Sequence, residues 1–176
     1  MISARLVDDV LIIRAPRTMK DDEIADFIYR HRRWLQNQIE KSGRRESEKE
    51  AAREAGLLTD EEIRALGEQA AREIPPRVRY YAQKMGVTYG RITIRCQKTR
   101  WGSCSGKGNL NFNCLLMLCP QDVVDSVVVH ELAHRKEMNH SARFYSEVYK
   151  VYPEYDRCHA WLKENGSLLL RRAGLR

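Results

Sequence analysis

The chain has 176 residues and carries 31 lysines and arginines against 24 acidic residues, which gives a formal net charge of +7. This length suits one domain with a sizeable core and a small N-terminal appendage. The positive charge favours acidic partners such as a nucleotide or nucleic acid, but it serves plain solubility equally well. Residues 1–14 lack a signal-peptide pattern, and no apolar run approaches the roughly 18 residues of a membrane span. We therefore expect a cytoplasmic protein with no membrane partner.

The five cysteines are odd in number, are unevenly spaced and form no CxxC pair. This pattern argues against a disulfide framework and against a cysteine-rich zinc knuckle, and it favours free thiols in a reducing cytosol.

The N-terminal segment predicts a short hairpin followed by a helix. Residues 10–13 are rich in β-branched side chains, and Asp8 and Asp9 supply a turn before them. From about residue 20 to residue 41 the apolar positions recur at helical spacing, with Thr18 or Asp21 as the N-cap.

Residues 42–55 are charged with both signs and contain no large apolar side chain. Such a segment is typical of an exposed linker or of a solvated helical arm. We place the domain boundary here, so that residues 1–45 form an N-terminal hairpin and helix and residues 56–176 form the main domain.

A long helix is predicted to begin at Thr59 and to end at Gly86, with an interruption or kink at Pro75 and Pro76. The period then changes, because residues 92, 94 and 96 are apolar and alternate with polar ones. This favours a strand over residues 87–96, and residues 109–117 favour a second strand after a turn over residues 106–108. Together they predict a small antiparallel sheet.

Pro120 opens a further helix, whose valines make it apolar on nearly every side. We expect this helix to be buried and central. Its β-branched residues have poor helix propensity, so tertiary packing must hold it.

The end of that helix carries an HExxH motif, formed by His130, Glu131 and His134. Residues four apart lie on one helical face, so both imidazoles can reach one metal ion, while Glu131 lies beside it. Neutral imidazole is a good zinc ligand, and a carboxylate at this offset can act as general base towards water. A buried helix with two hydrogen-bonded histidines is the alternative interpretation.

His140 follows six residues after His134, which is too far for the same helical face. The chain must therefore turn between about residues 136 and 140, and Asn139 tolerates the left-handed conformation that a turn needs. Three protein ligands would leave one position of the ion open, as in catalytic zinc sites. If His140 were only a turn residue, Glu147 or His159 could replace it as ligand.

Ser141 is predicted to cap a helix that continues to Tyr152. A last helix is expected over residues 155–165, ended by Gly166, and Arg171, Arg172 and Arg176 would then form a frayed basic tail.

Several motifs together resemble the YgjP-like family of zinc metallopeptidases, which is related to the SprT-like and WLM metallopeptidases. They are Thr99-Arg-Trp-Gly-Ser-Cys104, Asn111-x-Asn113, His130-Glu-Leu-Ala-His134, Asn139-His140-Ser141 with Phe144, and Tyr152-Pro-Glu-Tyr155 with Trp161-Leu162. The resemblance implies an α+β fold, namely a minimal gluzincin-like metallopeptidase domain preceded by an N-terminal β-hairpin and helix. It also implies His130, His134 and His140 as zinc ligands and Glu131 as the catalytic carboxylate, in agreement with their spacing.

The favoured function is zinc-dependent hydrolysis of peptide or protein substrates, with Glu131 as general base. An edge strand over residues 109–114 could hold the extended peptide, although an ordinary core strand is the alternative. Candidate oxyanion donors are Tyr145, Tyr149, Tyr155 and His159, unless these side chains only fill the core.

Two other functions stay open. A metal-dependent nucleotide pyrophosphohydrolase would use the same activated water, with Arg95, Lys98, Arg100 and Arg135 near the phosphates. A nucleic-acid-associated protease of SprT-like type would need its basic residues on one face.

Overall fold

The structure is a computed structural model that describes residues 2–7 and 10–174. The chain divides into two compact units, residues 1–51 and residues 52–176. The turn predicted at Asp8 and Asp9 and the tail position of Arg176 lie outside the described residues. No helix in the described ranges combines the length and the apolar character needed to cross a membrane.

In the N-terminal unit, strands β1 (Ser3–Val7) and β2 (Val10–Arg14) pair in an antiparallel hairpin. The predicted helix over residues 20–41 is instead two helices, α1 (Asp21–Arg30) and α2 (Arg32–Glu54), with a break at His31. The N-cap of α1 is Lys20 rather than Thr18 or Asp21, and its backbone N–H donates to the Glu23 carboxylate (2.9 Å).

The charged segment of residues 42–55 is helical nearly to its end. Charged pairs one turn apart explain how it forms without apolar packing, since Arg44 contacts Glu48 (3.1 Å) and Lys49 contacts Glu46 (2.8 Å). Such pairs each add a few tenths of a kcal/mol, about 0.2–0.5, to an exposed helix. Of the two predicted forms, an exposed linker or a solvated helical arm, the structure shows the helical arm.

The second unit begins with α3 (Asp60–Met85). Thr59 caps it as predicted, because its Oγ1 accepts from Glu62 N (3.2 Å) while the Glu62 carboxylate accepts from Thr59 N (2.7 Å). Gly86 ends it in the left-handed conformation (φ 65°). The predicted interruption is wrong, since α3 continues through Pro75 and Pro76 between the fully buried Ile74 and Val78. Core packing outweighs the two lost backbone donors.

A three-stranded sheet follows, made of β3 (Ile92–Arg95), β4 (Gly102–Cys104) and β5 (Leu110–Asn113) in the order β3-β5-β4. Strand β5 is central, antiparallel to β4 and parallel to β3. The sheet is thus mixed, because the short strand β4 takes the antiparallel place that the sequence pattern assigned to β3.

The strand predicted over residues 109–117 ends at Asn113, where a 3₁₀ helix (Cys114–Leu118) begins. The Asn113 side chain caps that helix by accepting from Leu115 N (3.2 Å). Because β5 lies between two strands, residues 109–114 cannot offer a free edge to a peptide. The edge strands are β3 and β4.

Helix α4 (Gln121–Ala133) is the buried central helix, as predicted, with nine of its 13 residues buried. Its valines cost some helix propensity, less than about 0.7 kcal/mol each. Burying a valine side chain contributes about 1.5–3 kcal/mol, so packing decides the conformation. The α+β class is confirmed. The largest fully buried core side chains include Phe112, Phe144, Ile74, Leu110, Leu115, Leu116 and Leu132.

Two helices complete the unit, α5 (Ala142–Val151) and α6 (Tyr155–Arg172). Ser141 caps α5 as predicted, with Oγ accepting from Phe144 N (3.4 Å). Helix α6 does not end at Gly166. A Cβ at this position would lie 3.0 Å from Cζ2 of Trp101, so the glycine permits close packing inside the helix rather than ending it. Arg171 and Arg172 are therefore helical and not a frayed tail.

Candidate metal centre

Three imidazoles meet where α4 ends. Their ligand atoms all lie within 4.8 Å of one another, and Nε2 of His140 is 3.0 Å from Nε2 of His130. His130 and His134 are half-buried, whereas His140 is exposed, so the cluster opens to solvent on the His140 side. Among the residues that the structure describes, this is the one group of three or more potential ligands that could hold a metal ion.

The chain reverses immediately after the second histidine. Helix α4 stops at Ala133, and backbone N–H groups of Arg135 and Glu137 bond back to carbonyls of its last turn at 2.9 and 3.0 Å. Ser141 then starts α5, which places Phe144 against the cluster. The Phe144 ring centroid lies 4.7–4.9 Å from the centroids of all three imidazoles. This fully buried ring forms an apolar floor that fixes their positions.

Hydrogen bonds to the other ring nitrogens orient two of the imidazoles. His134 Nδ1 lies 3.3 Å from the Glu137 carbonyl, which can only accept, so the proton belongs on Nδ1 and the lone pair on Nε2. His130 Nδ1 lies 2.8 Å from the Tyr155 hydroxyl. Such partners fix the ring orientation of metal-ligating histidines.

Burial keeps these rings neutral. It lowers the pKa of His130 to about 3, and the neighbouring His134 and His140 act in the same direction. It also lowers the pKa of His134, against the hydrogen bond to the Glu137 carbonyl. Neutral imidazole is the form that ligates a metal ion, so the site needs little deprotonation before binding one.

Glu131 lies beside the cluster and is 5% exposed. Burial raises the pKa of Glu131 to about 8, while the positive charge of Arg100 opposes that increase. Its carboxylate packs on the backbone of β4, where a Cβ on Gly102 would lie 2.5 Å from Oε1. The metal-free site thus favours the protonated form of this buried carboxyl group.

Two cavities meet at Glu131. The first, of about 310 Å³, is lined by Arg100, Gly102, Ser103, Cys104, His130, Glu131, His134, Met138 and His140. The second, of about 210 Å³, is lined by Arg100, Trp101, Gly102, Ser126, Val127, His130, Glu131, Tyr155, His159 and Leu162. The first contains the three histidines, and the second is mainly apolar.

The other predicted site residues are dispersed. Neither substitute ligand, Glu147 or His159, is part of the histidine cluster, and Glu147 pairs with Lys136 (2.7 Å) and with Lys150. Of the candidate oxyanion donors, Tyr149 donates to Asp156 (2.8 Å), whereas Tyr155 and His159 line the apolar cavity.

The four basic residues also separate. Arg135 donates to the Thr88 carbonyl (2.9 Å) and packs against Gly108, which is a structural role. Arg100 lines both cavities, whereas Arg95 and Lys98 line neither of them.

Sequence patterns missed the strand that faces Glu131. Strand β4 has three residues, Gly-Ser-Cys, none of which is β-branched or aromatic, so it carries no strand pattern. Its functional place was signalled only by the family motif around Trp101 and Gly102.

The chain is similar to a known protein family and to two solved structures. The YgjP-like, metallopeptidase domain family model matches residues 57–165. The metallopeptidase zymogen of Methanocaldococcus jannaschii jannalysin is 20% identical, with 53% of this chain and 97% of that chain covered and a TM-score of 0.48. The zymogen of Pyrococcus abyssi abylysin is 25% identical, with 51% and 95% covered and a TM-score of 0.45. No curated protein matches the chain.

The family match spans more than half of the chain and contains the HExxH motif, His140 and strand β4. Metallopeptidases are metal-dependent hydrolases that act on peptide or protein substrates. This chain belongs to the YgjP-like metallopeptidase family.

Proposed function

We propose that this chain is a zinc peptidase in which His130, His134 and His140 hold the ion and Glu131 is the general base. The observation that carries the proposal is the cluster of three imidazoles in one cavity with a buried carboxyl group. Nε2 of His140 lies 3.0 Å from Nε2 of His130, and the ligand atoms of all three histidines lie within 4.8 Å of one another. Three imidazoles are a donor set that suits zinc in its chemistry.

A bound zinc ion supplies Lewis acidity, which makes water nucleophilic near neutral pH and polarises the scissile carbonyl. Glu131 takes the proton from the attacking water and passes it to the departing amine nitrogen. The carboxylate is buried beside the ligands and rests on the backbone of β4, so it stays in one place for both proton transfers. The Tyr155 hydroxyl keeps His130 in its orientation. His159 lines the apolar cavity and is our candidate for the oxyanion donor.

The edge position of β4 supports a site for extended peptide. Strand β4 pairs with β5 on one side only, so its other side offers backbone groups to a substrate strand. Next to it, Trp101, Val127 and Leu162 line the 210 Å³ cavity. An apolar cavity of about 150 Å³ can hold a benzene ring. We therefore infer that the substrate places one large apolar side chain there.

The direct test uses internally quenched peptides that vary one residue around the scissile bond, incubated with zinc-loaded protein. We expect cleavage next to a large apolar residue, and its loss in Glu131→Gln. If no peptide is cleaved, or if the variant cleaves as fast as wild type, the peptidase assignment is wrong.

Arg100 supports one alternative, because its charge lies in both cavities and could contact a phosphate. A nucleotide panel in the same assay distinguishes a pyrophosphohydrolase, which would release pyrophosphate from a nucleoside triphosphate. A DNA-associated protease would instead show salt-dependent binding to DNA.

All residues of the proposed site lie between Arg100 and Leu162. We accordingly propose residues 56–176 as the catalytic domain and residues 1–45 as an N-terminal appendage.

A further inference from the structure

Two cysteines lie next to each other at the ends of parallel strands. The last paired residues of β3 and β5 are Arg95 and Asn113. Cys96 and Cys114 are the next residues of the chain, Cys96 directly after β3 and Cys114 as the first residue of the 3₁₀ helix. Neighbouring strands are about 4.8 Å apart, and Cα atoms of disulfide-bonded cysteines are usually separated by about 4.4–6.8 Å. The spacing of the two strands at Arg95 and Asn113, the residues just before the cysteines, is thus within the range that a disulfide needs.

The two thiols already interact, although they differ in access to solvent. Cys96 is exposed, whereas Cys114 is 2% exposed. Burial, followed by the neighbouring Cys96 thiol, raises the pKa of Cys114 to about 12. An oxidant in solution can thus reach one member of the pair and not the other.

We propose that Cys96 and Cys114 are a redox pair that closes to a disulfide on reaction with a low-molecular-weight disulfide such as glutathione disulfide. The Cys96 sulfur, as thiolate, attacks one sulfur of the reagent, which forms a mixed disulfide and releases one glutathione thiol. Cys114 then loses its proton and attacks Sγ of Cys96, which releases the second glutathione thiol. The net change converts two protein thiols and one reagent disulfide into one protein disulfide and two glutathione thiols.

The rate of each step follows from burial. Since the thiolate is the reactive form, the raised pKa of Cys114 slows the second step. The mixed disulfide on Cys96 should therefore form first and decay as the protein disulfide appears. The other three cysteines do not fit this role, because no cysteine is among the neighbours that shift the pKa of Cys104, Cys119 or Cys158, whereas Cys96 is such a neighbour of Cys114.

Closure would tie together both ends of the loop that builds one wall of the site. Residues 97–113 include Arg100 and Gly102, which line both cavities, and Trp101, which lines the apolar one. At present the Asn113 side chain holds this loop, since its Nδ2 donates to the Gln97 carbonyl (2.9 Å) and the Arg100 carbonyl (3.0 Å). The disulfide would add a covalent tie beside these two hydrogen bonds, and we expect it to raise Tm by roughly 5–10 °C.

The test treats the reduced full-length protein with glutathione disulfide, blocks remaining thiols with iodoacetamide and maps peptides without reduction. We expect a Cys96–Cys114 cross-linked peptide, two fewer alkylated cysteines and the higher Tm. Cys96→Ser should abolish the cross-link, and Cys119→Ala, the matched control at a buried thiol, should retain it. In Cys114→Ala the mixed disulfide on Cys96 should persist.

Two results would overturn the proposal. One is a lasting mixed disulfide on Cys96 of the wild-type protein while Cys114 is fully alkylated. The other is a cross-link between Cys96 and any other cysteine as the main product. The exposed Cys96→Ser variant decides the question even if Cys114→Ala does not fold. Neither outcome depends on zinc or on peptidase activity.

Discussion

Gly102 and Glu131 are in such close contact that a single methyl group at residue 102 would lie 2.5 Å from Oε1 and 2.7 Å from Cγ of the glutamate. Real Cβ atoms do not approach other atoms so closely. Only glycine allows the carboxylate to rest on the backbone of β4. Strand β4 therefore fixes the position of the Glu131 carboxylate together with helix α4.

Gly102→Ala should push the Glu131 carboxylate away from its place. Misplacement by about 1 Å can cost roughly 100-fold in rate, so we expect kcat/KM to fall about 10- to 100-fold while bound zinc stays near one per chain. Gly106→Ala is the matched control, because a Cβ there meets no atom within 4 Å. Unchanged peptidase activity in Gly102→Ala would show that the base tolerates displacement.

His140→Ala tests the proposed ligand that lies outside the HExxH motif. Loss of a direct ligand should weaken zinc binding at least as much as loss of an outer partner, which costs about 10- to 100-fold. Zinc retained after dialysis against a competing chelator gives the measurement. His31→Ala, which changes an exposed histidine of the N-terminal unit, should behave as wild type. Wild-type retention in His140→Ala would remove this residue from the ligand set.

Tyr155→Phe removes the hydroxyl 2.8 Å from His130 Nδ1 and keeps the buried ring. Because this hydroxyl orients a proposed ligand, we expect roughly 10- to 100-fold weaker zinc binding. Tyr149→Phe also deletes a phenol hydroxyl, but one that bonds to Asp156, so its zinc affinity should not change. Equal affinities for the two variants would contradict the assigned role of Tyr155.

The sequence predicted helix caps and helix burial correctly where neighbouring residues decide them. Thr59 and Ser141 cap helices because their own hydroxyls accept from backbone N–H groups three residues on, an arrangement that is visible in sequence. The valine run before His130 likewise indicated burial on nearly every side of α4. The roles of the three histidines and of Glu131 remain predictions until they are measured.

Features that depend on contacts between residues far apart in the sequence could not be predicted from local patterns. Gly166 looked like a helix end, but it is glycine because Trp101, 65 positions earlier, packs on it. Pro75 and Pro76 looked like an interruption, yet the core on both sides holds the helix together. Gly102 gave no local sign that it faces Glu131. In each case the deciding contact comes from another element.

Val127→Phe should narrow the apolar cavity beside Glu131, since Val127 lines it and is 6% exposed. We expect cleavage beside large apolar residues to fall, and cleavage beside alanine to fall much less, in the quenched-peptide assay. Overpacking costs typically about 1–3 kcal/mol, so the comparison between the two peptides is made on the same folded sample. An equal loss for both peptides would mean that this cavity does not select the substrate side chain.

The metal-free protein should be most stable at mildly acidic pH. In the folded state the pKa of His130 is about 3 and that of Glu131 about 8, against 6.5 and 4.5 as their ordinary values. Above pH 6.5 the folded state keeps the Glu131 proton that the unfolded state has lost, so stability falls as pH rises towards 8. Below pH 4.5 the unfolded state protonates His130 and the folded state does not, so stability falls again.

Between pH 4.5 and pH 6.5 the two effects cancel. Outside this range the free energy of unfolding changes by at most roughly 1.4 kcal/mol per pH unit. Urea denaturation with chelator present, repeated from about pH 3 to pH 9, measures the profile. Glu131→Gln removes only the high-pH effect, so its stability should stay level above pH 6.5 and fall below it. If wild type and variant lose stability in parallel above pH 6.5, then the carboxyl group of Glu131 is already ionised in the folded, metal-free site.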